Sequence, residues 1–371
     1  MKLNKRFALA VISIITTIIA GYAIPAHVDS ASKELKIEWF DVGAGDSMFI
    51  KLPNKKTVLI DAGTTSKGSI VVGKLKDNKI DTIDYCISTH PDMDHCGGLA
   101  EVFTQMNVKN FYYPDDTEYD TQIAGKVMDL AKEERGCNII SPGQGTVIKG
   151  GDGAKLEFVQ NDEDYTSDNE DSLALLIEYG DLRVLTCGDN EKGSEEMIKQ
   201  CNVDVLQLPH HGSKYAISYD FIKRFDPEYV VVSTDGKKYG HPDDEVFNIC
   251  KKYDKSIQVY RTDRIGDIKL IATKKSWKFR KKGVIVGEAA GHGKSGGSGS
   301  GNSNSGSNGS AGTSARTTNN SGSKKAKVVY ITKTGKKYHS KKTCRGLNNA
   351  KAIYKVKIKD VGNRDKCKIC W

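Results

Sequence analysis

A low-complexity tract from Gly291 to Ser323 most constrains how this chain of 371 residues can fold. The tract consists almost wholly of Gly, Ser, Asn and Thr and has almost no apolar residues. It cannot bury a core, so the pattern predicts a flexible linker with a separate folded body on each side. We place the linker at residues 286–323, a large domain at 33–285 and a small module at 324–371.

The two bodies carry opposite charge. From Lys33 to Gly283 there are 35 Lys and Arg against 43 Asp and Glu, whereas from Ser323 to Trp371 there are 16 against 2. The net charge of +9 for the whole chain therefore hides an acidic domain tethered to a basic module. A concentrated positive charge of this kind is typical of segments that bind polyanions.

The first 26 residues have the layout of a signal peptide. Three basic residues precede the apolar run Phe7–Ala20, and the small residues Ala23 and Ala26 offer cleavage positions. This predicts an exported bacterial protein that is secreted, extracellular or associated with the cell wall. The alternative is an uncleaved N-terminal membrane anchor, since the apolar run approaches spanning length.

The large domain alternates short apolar runs with helix-like stretches. Runs such as "KIEWFD", "TVLID" and "EYVVVS" predict strands, and residues 68–79, 121–134 and 243–253 have helical periodicity. The mixture predicts a layered α/β fold in which helices cover sheets. Polar residues follow the predicted strands at the positions where sites are usually built, namely Asp61, His90, Asp189, His210 and Ser233.

The run "STHPDMDHCGG" at residues 88–98 places four candidate metal ligands within six positions. These are His90, Asp92, Asp94 and His95. Imidazole and carboxylate ligands that converge in this way suit one or two divalent cations. Taken alone, the run could also be a solvated acidic loop.

Three further motifs favour the metal site over a solvated loop. Asp189 in "LTCGDN" and the pair His210 and His211 in "LPHHGS" come directly after predicted strands, and His241 lies in "KYGHP". Residues 34–285 contain no Ser-x-x-Lys, Gly-x-Ser-x-Gly or phosphate-binding glycine loop, which argues against serine hydrolases and nucleoside triphosphatases.

The ordered set of motifs resembles the metallo-β-lactamase superfamily, and within it the extracellular hydrolase domains of ComEC-type competence proteins. The matching pieces run from residue 36 to 275: "FDVGAGDS", "VLIDAG", "STHPDMDHCGG", "DNEDSLALLIEYGDLRVLTCGD", "LPHHGS", "VVSTDGKKYGHP" and "RTDRIGD". The resemblance implies a four-layer αββα sandwich with a metal centre at one edge, between the two sheets.

The resemblance also implies roles for single residues. His90 and Asp92 would hold a first cation, Asp94 and His95 a second, and Asp189 would bridge the two.

A histidine of "LPHHGS" would complete the second site, and we favour His210, which is nearer the strand end, over His211. Asp61 would orient the site rather than ligate a cation.

One position departs from the superfamily pattern. The histidine that usually precedes the bridging aspartate is missing from "TSDNEDSLALL", so Asn169, Asp171 or Ser172 would take its place. This leaves the occupancy of the first cation site open.

The ligand set predicts metal-activated hydrolysis. Two divalent cations would lower the pKa of bound water and hold the oxygens of a phosphoryl transfer. Zinc is the expected metal, with manganese as the alternative because Asp92 replaces an imidazole. Asp94 would act at the reacting centre, and His241 would contact or protonate the leaving group. The alternative for His241 is a turn residue before proline.

The basic module carries a second set of candidate ligands. His339, Cys344, Cys367 and Cys370 suit one tetrahedral structural zinc, and the stretch resembles an Ada-like metal-binding module. A disulfide between Cys344 and Cys367 is the alternative. Pairings among the remaining cysteines cannot be read from the sequence; these are Cys86, Cys96, Cys137, Cys187, Cys201 and Cys250.

These patterns together predict a secreted metal-dependent phosphodiesterase or nuclease that degrades extracellular DNA. The alternatives are a cell-wall phosphodiesterase of the teichoic-acid type, a hydrolase of small esters or lactones, and a polyanion-binding surface protein with an inactive metal site. The basic module would bind nucleic acid or anionic cell wall. We expect a monomer without an integral membrane partner.

Overall fold

The computed structural model describes residues 33–114, 121–160, 167–191, 198 and 201–290, and parts of the C-terminal segment: 328–332, 336–339, 347, 353–357 and 365–367. The predicted leader lies outside these residues, as does the linker after residue 290. Among the residues described, no helix is long and apolar enough to cross a membrane.

The elements follow one another as a mixture of strands and helices. In chain order up to the linker they are β1 (Leu35–Trp39), β2 (Met48–Lys51), β3 (Thr57–Ile60), α1 (Gly68–Asp77), β4 (Thr82–Ile83), β5 (Tyr85–Ile87), α2 (Met93–Cys96), α3 (Leu99–Gln105), β6 (Asn107–Val108), β7 (Asn110–Tyr112), α4 (Gln122–Glu133), β8 (Asn138–Ile140), β9 (Val147–Gly151), β10 (Ala154–Phe158), β11 (Leu175–Tyr179), β12 (Leu182–Thr186), β13 (Val205–Gln207), α5 (Tyr219–Phe225), β14 (Tyr229–Val232), α6 (Asp244–Tyr253), β15 (Gln258–Arg261), α7 (Thr262–Ile265), β16 (Ile268–Ala272), β17 (Trp277–Phe279) and β18 (Val284–Ile285). Short 3₁₀ turns lie at Thr65–Lys67, His210–Gly212, Lys238–Gly240 and Val286–Glu288.

Two large sheets form the body of the domain. The first has the strand order β17-β16-β1-β2-β3-β5-β7-β8 and the second β18-β15-β14-β13-β12-β11-β10-β9. The strands β3-β5-β7-β8 of the first sheet and β12-β13-β14-β15 of the second are parallel. The remaining pairs are antiparallel; they lie at one end of the first sheet and at both ends of the second. A two-stranded sheet pairs β4 with β6.

Three apolar clusters separate four layers of secondary structure. One cluster lies between the sheets and includes Ile37, Phe158 and Ile177. A second packs α5 and α6 on the outer face of the second sheet, and a third packs α1, α3 and α4 on the outer face of the first. The αββα sandwich expected from the sequence is therefore confirmed.

The domain extends beyond the boundary expected at residue 285. Val286 and Ala289 are buried in the outer cluster of the second sheet. The sequence predicted a linker here because the short run 284–290, beside a glycine-rich tract, is too short to show a helical or strand period.

The described parts of the C-terminal module form a small sheet. Its order is β21-β19-β20-β22, where β19 is Val328–Thr332, β20 Lys337–His339, β21 Ile353–Lys357 and β22 Asp365–Lys366. Because β20 and β22 pair in parallel, and Cys367 N donates to Tyr338 O at 3.0 Å, His339 and Cys367 come to neighbouring positions. Cys344 and Cys370 lie outside the described residues, so the structural zinc remains a prediction.

A buried ion pair fixes the end of β15. The Arg261 guanidinium donates to the Asp263 carboxylate through Nε at 2.9 Å and Nη2 at 2.8 Å, and Nη1 donates to Ala289 O at 2.7 Å. The two side chains are 1% and 4% exposed. The pair therefore joins the end of a central strand to the last turn of the domain.

We expect Asp263→Ala to lower the free energy of unfolding by about 3–5 kcal/mol, because it leaves a buried guanidinium without its counter-charge. Denaturant unfolding followed by tryptophan fluorescence measures this. Asp77→Ala, at an exposed position, is the control and should change the value by less than about 0.5 kcal/mol. Equal effects of the two substitutions would contradict the prediction.

Candidate metal centre

The candidate ligands lie at one edge of the sandwich, after the carboxyl ends of parallel strands from both sheets. The loop after β5 carries His90 and leads into α2, which contains His95. From the second sheet, Asp189 follows β12 and His211 follows β13. The topology brings these segments together because parallel strands of a sheet end at a common edge.

Four buried residues form the tightest group: Asp46, His95, Asp189 and His211, whose candidate ligand atoms all lie within 4.8 Å of one another. His95 Nε2 is 3.1 Å from Asp189 Oδ1 and 3.4 Å from His211 Nε2. His211 Nε2 is 3.6 Å from Asp189 Oδ2. Nitrogen and oxygen donors therefore converge on one point, as a site for a borderline divalent cation requires.

Two atoms of the centre show that the residues fit a metal. His90 Nε2 and Asp189 Oδ1 are fully buried, and neither has a hydrogen-bond partner among the described residues. Asp189 Oδ1 lies close to His95 Nε2, but not in hydrogen-bonding geometry. A buried polar atom without a partner costs free energy, so these lone pairs suit coordination of a cation.

Asp61 holds His95 from behind. His95 Nδ1 lies 2.9 Å from Asp61 Oδ2 and donates its proton there. The Asp61 carboxylate also accepts from Thr89, from the backbone N at 2.8 Å and from Oγ1 at 2.7 Å. This arrangement turns His95 Nε2 toward the centre, and it is the usual way in which a carboxylate orients a metal-binding histidine.

Asp46 holds His211 in a similar way. Its Oδ1 lies 3.4 Å from His211 Nδ1, which is also 3.1 Å from the carbonyl oxygen of Ser233. The Gln207 side chain donates from Nε2 to Asp46 Oδ2 at 2.6 Å, and its Oε1 accepts from Trp39 Nε1 at 2.9 Å. Asp46 thus belongs to the tight group by distance but contacts the far nitrogen of His211, so it orients the ring.

Asp46 was not among the residues expected at the site, although it lies in the motif "FDVGAGDS". The signal that could have found it is the preceding glycine. Gly45 has φ +129°, and a Cβ there would lie 2.3 Å from Asp94 O. The glycine lets this loop lie directly on the ligand loop, where Asp46 N donates to Asp94 O at 3.1 Å.

His90 and Asp92 lie on the other side of Asp189. His90 Nε2 is 3.7 Å from Asp92 Oδ2 and 4.0 Å from Asp189 Oδ2. The neighbouring His90 imidazole lowers the pKa of Asp92. Asp92 is half-exposed, so the candidate first cation position, beside His90 and Asp92, is more open than the candidate second position beside His95.

Asp94 joins the second position, since its Oδ2 lies 3.8 Å from His211 Nε2. The geometry favours His211 over His210, the reverse of the sequence-based preference. His210 Nε2 is 3.8 Å from Asp189 Oδ2, but its Nδ1 is 3.1 Å from Glu191 Oε1 at the rim. Both histidines have left-handed backbones, with φ of 49° and 54°, and this turn points His211 inward.

Ser172, one of the residues expected in place of the missing histidine, binds the backbone of Asp189. Ser172 Oγ accepts from Asp189 N at 3.1 Å, and Ser172 O accepts from Asn190 Nδ2 at 2.9 Å. Asn169 Nδ2 instead donates to Glu191 Oε1 at 3.4 Å. Neither side chain belongs to the tight group.

His241 flanks the centre rather than joining the tight group. Its Nδ1 lies 3.2 Å from Asp243 Oδ2, and its ring is 5.6 Å from the ring of His210. Burial and the neighbouring His210 lower the pKa of His241. The leaving-group role expected for His241 remains a prediction.

The centre combines buried carboxylates and imidazoles whose charges depend on one another. Burial opposes charge on His211, but Asp189 and Asp46 raise its pKa to about 9. Burial likewise opposes charge on His95, and Asp189 and Asp61 raise its pKa well above the usual value. Burial would raise the pKa of Asp189, yet His95 and His211 hold it well below the usual range.

The comparisons with known proteins agree with this geometry. Residues 40–236 match the metallo-beta-lactamase superfamily, and the chain belongs to that superfamily. It is 32% identical over 263 residues to the ComE operon protein 3 of Bacillus subtilis (strain 168). The aligned region covers 64% of this chain and 33% of that protein. It is also 26% identical over 267 residues to competence protein ComA of Neisseria gonorrhoeae. That aligned region covers 67% of this chain and 34% of that protein.

The chain thus spans about a third of the length of these relatives, and the ComEC-type resemblance is confirmed. Among solved structures it is similar to the metallo-beta-lactamase fold protein YhfI from Bacillus subtilis, with a TM-score of 0.41 and 12% identity, covering 66% of this chain and 99% of that chain.

We expect Asp61→Asn to weaken divalent-cation binding by about 10- to 100-fold while leaving the fold intact, because His95 loses the carboxylate that orients it. Competition with a fluorescent chelator measures the affinity of the second position. Asp152→Asn removes a surface carboxylate that pairs with Lys274 and should leave the affinity unchanged. If both variants bind like the wild type, Asp61 does not support the centre.

The metal-free chain should lose stability as pH rises. The folded pKa of His211 is about 9 and that of His95 is also raised. Their contribution is therefore fully present below the unfolded value of about 6.5. It is lost as pH rises from there through about 9. Denaturant unfolding in chelator at pH 6 to 9 checks the slope. His211→Gln should flatten it, and an unchanged slope in that variant would contradict the assignment.

Proposed function

We propose that this chain is a metal-dependent phosphodiesterase whose substrate is a nucleic acid strand, DNA in particular. The observation that carries the proposal is the position of Asp189. Its buried carboxylate lies between His90 on one side and the pair His95 and His211 on the other. A single carboxylate flanked in this way suits a bridge between two cations.

Two divalent cations would supply a water of lowered pKa and a clamp for the oxygens of a phosphoryl group. The chain's own residues would do the rest. His90 and Asp92 would hold the first position, and Asp94, His95 and His211 the second. Zinc suits these donors, with manganese as the alternative at the more carboxylate-rich first position.

The rim of the centre favours nucleic acid over a small ester or lactone. The loops after β13 and β14 each present a lysine beside an exposed tyrosine. Lys214 Nζ lies 5.4 Å from the ring of Tyr215, which is 63% exposed. Lys238 Nζ lies 4.6 Å from the ring of Tyr239, which is 72% exposed.

These Lys–Tyr pairs have the two kinds of group that bind single-stranded nucleic acid. An exposed aromatic face stacks on a base, and the adjacent ammonium group contacts phosphate. Lys238 is also close enough to Asp94 for that carboxylate to help raise its pKa, after the larger effect of Tyr239. The rim therefore adds positive charge beside the acidic ligands.

Two further observations support DNA. The relatives found are named as a ComE operon protein and a competence protein, and the ComEC-type resemblance implies DNA as the polymer. The basic C-terminal segment would add attraction for a polyanion that the acidic domain alone repels. Export, by way of the predicted leader, would place the activity outside the cell.

We expect Tyr215→Ala with Tyr239→Ala to raise the KM for single-stranded DNA by at least about 30-fold, because each of the two rings contributes about 1–3 kcal/mol of base stacking. Turnover of bis(p-nitrophenyl) phosphate should change little, because that small diester needs only the metal centre. Steady-state kinetics on both substrates measure the difference.

Asp189→Asn is the companion variant for the centre itself. It should lower turnover of both substrates by at least about 100-fold, as should a chelator. DNA cleavage by Asp189→Asn at the wild-type rate would overturn the metal-hydrolase proposal. Turnover of the small diester without any DNA cleavage would point to a cell-wall phosphodiesterase instead.

A further inference from the structure

A cavity lies at the edge of the sandwich opposite the metal centre. It has a volume of about 550 Å³. It opens between β17, the edge strand of the first sheet, and the beginnings of β14 and β15 in the second. Tyr229 begins β14, and Ser233, which contacts His211, follows its end. Tyr229 and Ser233 are four residues apart, and at about 3.3 Å per residue this separates the two edges by roughly 13 Å. A ligand in the cavity therefore does not contact the metal centre.

Aromatic rings form the walls of this cavity. Trp277 and Phe279 from β17 face Tyr229 and Tyr260 from the second sheet. Ring centroids are 5.3 Å apart for Trp277 and Tyr229, and 4.0 Å apart for the stacked rings of Phe279 and Tyr260. Three of the four rings are only partly buried. Phe279 and Tyr260 already stack on each other, so the partly exposed rings of Trp277 and Tyr229 are the faces that remain for a ligand, within a volume typical of small-molecule sites.

The rim of the cavity is strongly basic. Residues 274–282, "KKSWKFRKK", hold six Lys or Arg and no acidic residue, inside a domain that is otherwise acidic. Lys275, Lys278 and Lys282 line the cavity and are exposed. Within the part of the chain that the structure describes, none of the three forms an ion pair with a carboxylate.

The backbone geometry brings these lysines to the rim. A Cβ at Gly283 would lie 2.6 Å from a ring carbon of Tyr260, so this glycine lets the chain cross directly over the aromatic wall. Lys281 is held by a hydrogen bond from its Nζ to Ile265 O. Lysines on an edge strand also prevent pairing with other strands. That role accounts for Lys278 in β17, but not for Lys275 and Lys282 outside it, nor for the aromatic cavity that all three border.

Part of the cavity lining is polar. Gln258, Glu228 and Asp204 contribute to it, and the Asp204 carboxylate accepts from Arg183 N at 2.9 Å. An amide and carboxylates can form hydrogen bonds with the edge of a planar polar group that stacks on the aromatic wall. The lining thus combines aromatic rings, cations and hydrogen-bonding groups.

We propose that this cavity binds a nucleotide, with the base against the partly exposed rings of Trp277 and Tyr229 and the phosphate on Lys275, Lys278 and Lys282. The nucleotide is either a free mononucleotide or one unit of a single strand. Both sources share the chemistry, and the metal centre is not needed for either.

The test uses the full chain in its metal-bound form and three probes: thymidine 5′-monophosphate, inorganic phosphate and a phosphorothioate oligothymidylate that resists cleavage. The variant Lys275→Gln/Lys278→Gln/Lys282→Gln removes three charges at the rim. The matched control Lys126→Gln/Lys132→Gln/Arg135→Gln removes three exposed charges on or beside α4. Calorimetry measures affinity, and turnover of bis(p-nitrophenyl) phosphate should be the same in both variants.

We expect the rim variant to bind its nucleotide probe about tenfold more weakly, with the control within about twofold. For the oligonucleotide, the slope of log K against log salt should fall by about two, since three phosphate contacts to a single strand are lost. Mononucleotide binding that depends on the rim identifies a free nucleotide as the ligand. Rim-dependent binding of the oligonucleotide alone identifies a strand.

Two results would overturn the proposal. One is equal affinity of the rim and control variants for both nucleotide probes, which would leave the lysines as protection of an edge strand. The other is binding of inorganic phosphate as tight as that of the mononucleotide, which would show an anion site without a place for the base. Quenching of Trp277 fluorescence by the mononucleotide, absent in Trp277→Leu, would locate the base.

Discussion

The buried carboxylate of Asp189 is the constraint on which the rest of the structure depends. A carboxylate with so little exposure is costly unless charges or donors surround it. Histidines from the first sheet and from the loop after β13 supply them. Each of the two closest rings is held from behind, His95 by Asp61 and His211 by Asp46. The two sheets must meet at this edge for that arrangement to exist, so the sandwich and the centre form as one unit.

The second theme is the distribution of positive charge on an acidic domain. The metal centre collects carboxylates, which suit cations but repel a polyanion. Lysines compensate in three separate places. They flank the centre as the Lys214–Tyr215 and Lys238–Tyr239 pairs, they line the far cavity between Lys275 and Lys282, and they dominate the C-terminal module. In the first two places the lysines accompany aromatic rings, the combination that binds nucleotides through both phosphate and base.

Sequence reasoning was most successful where chemistry and strand ends coincide. The layered α/β fold follows from the alternation of strands and helices, and the ligand loop from its dense set of imidazoles and carboxylates. The geometry reverses the sequence-based preference for His210 over His211, because adjacent residues differ in the direction of their side chains and a left-handed turn sets that direction. Asp46 was missed because its role depends on a contact with His211, 165 positions further along the sequence. The end of the domain was placed too early because Val286 and Ala289 acquire meaning only against the second sheet.

The sequence by itself determined the superfamily, the order of the strands and helices, and the residue types that reach the metal centre. These features are local, since they depend on hydrophobic period, turn residues and the ligands a loop carries. Tertiary structure decided which histidine faces inward, which carboxylates hold the histidine rings from behind, and that four aromatic rings from two sheets line a cavity beside a basic strip. Those outcomes depend on atoms brought together from distant parts of the chain, where direction and distance, rather than composition, decide the chemistry.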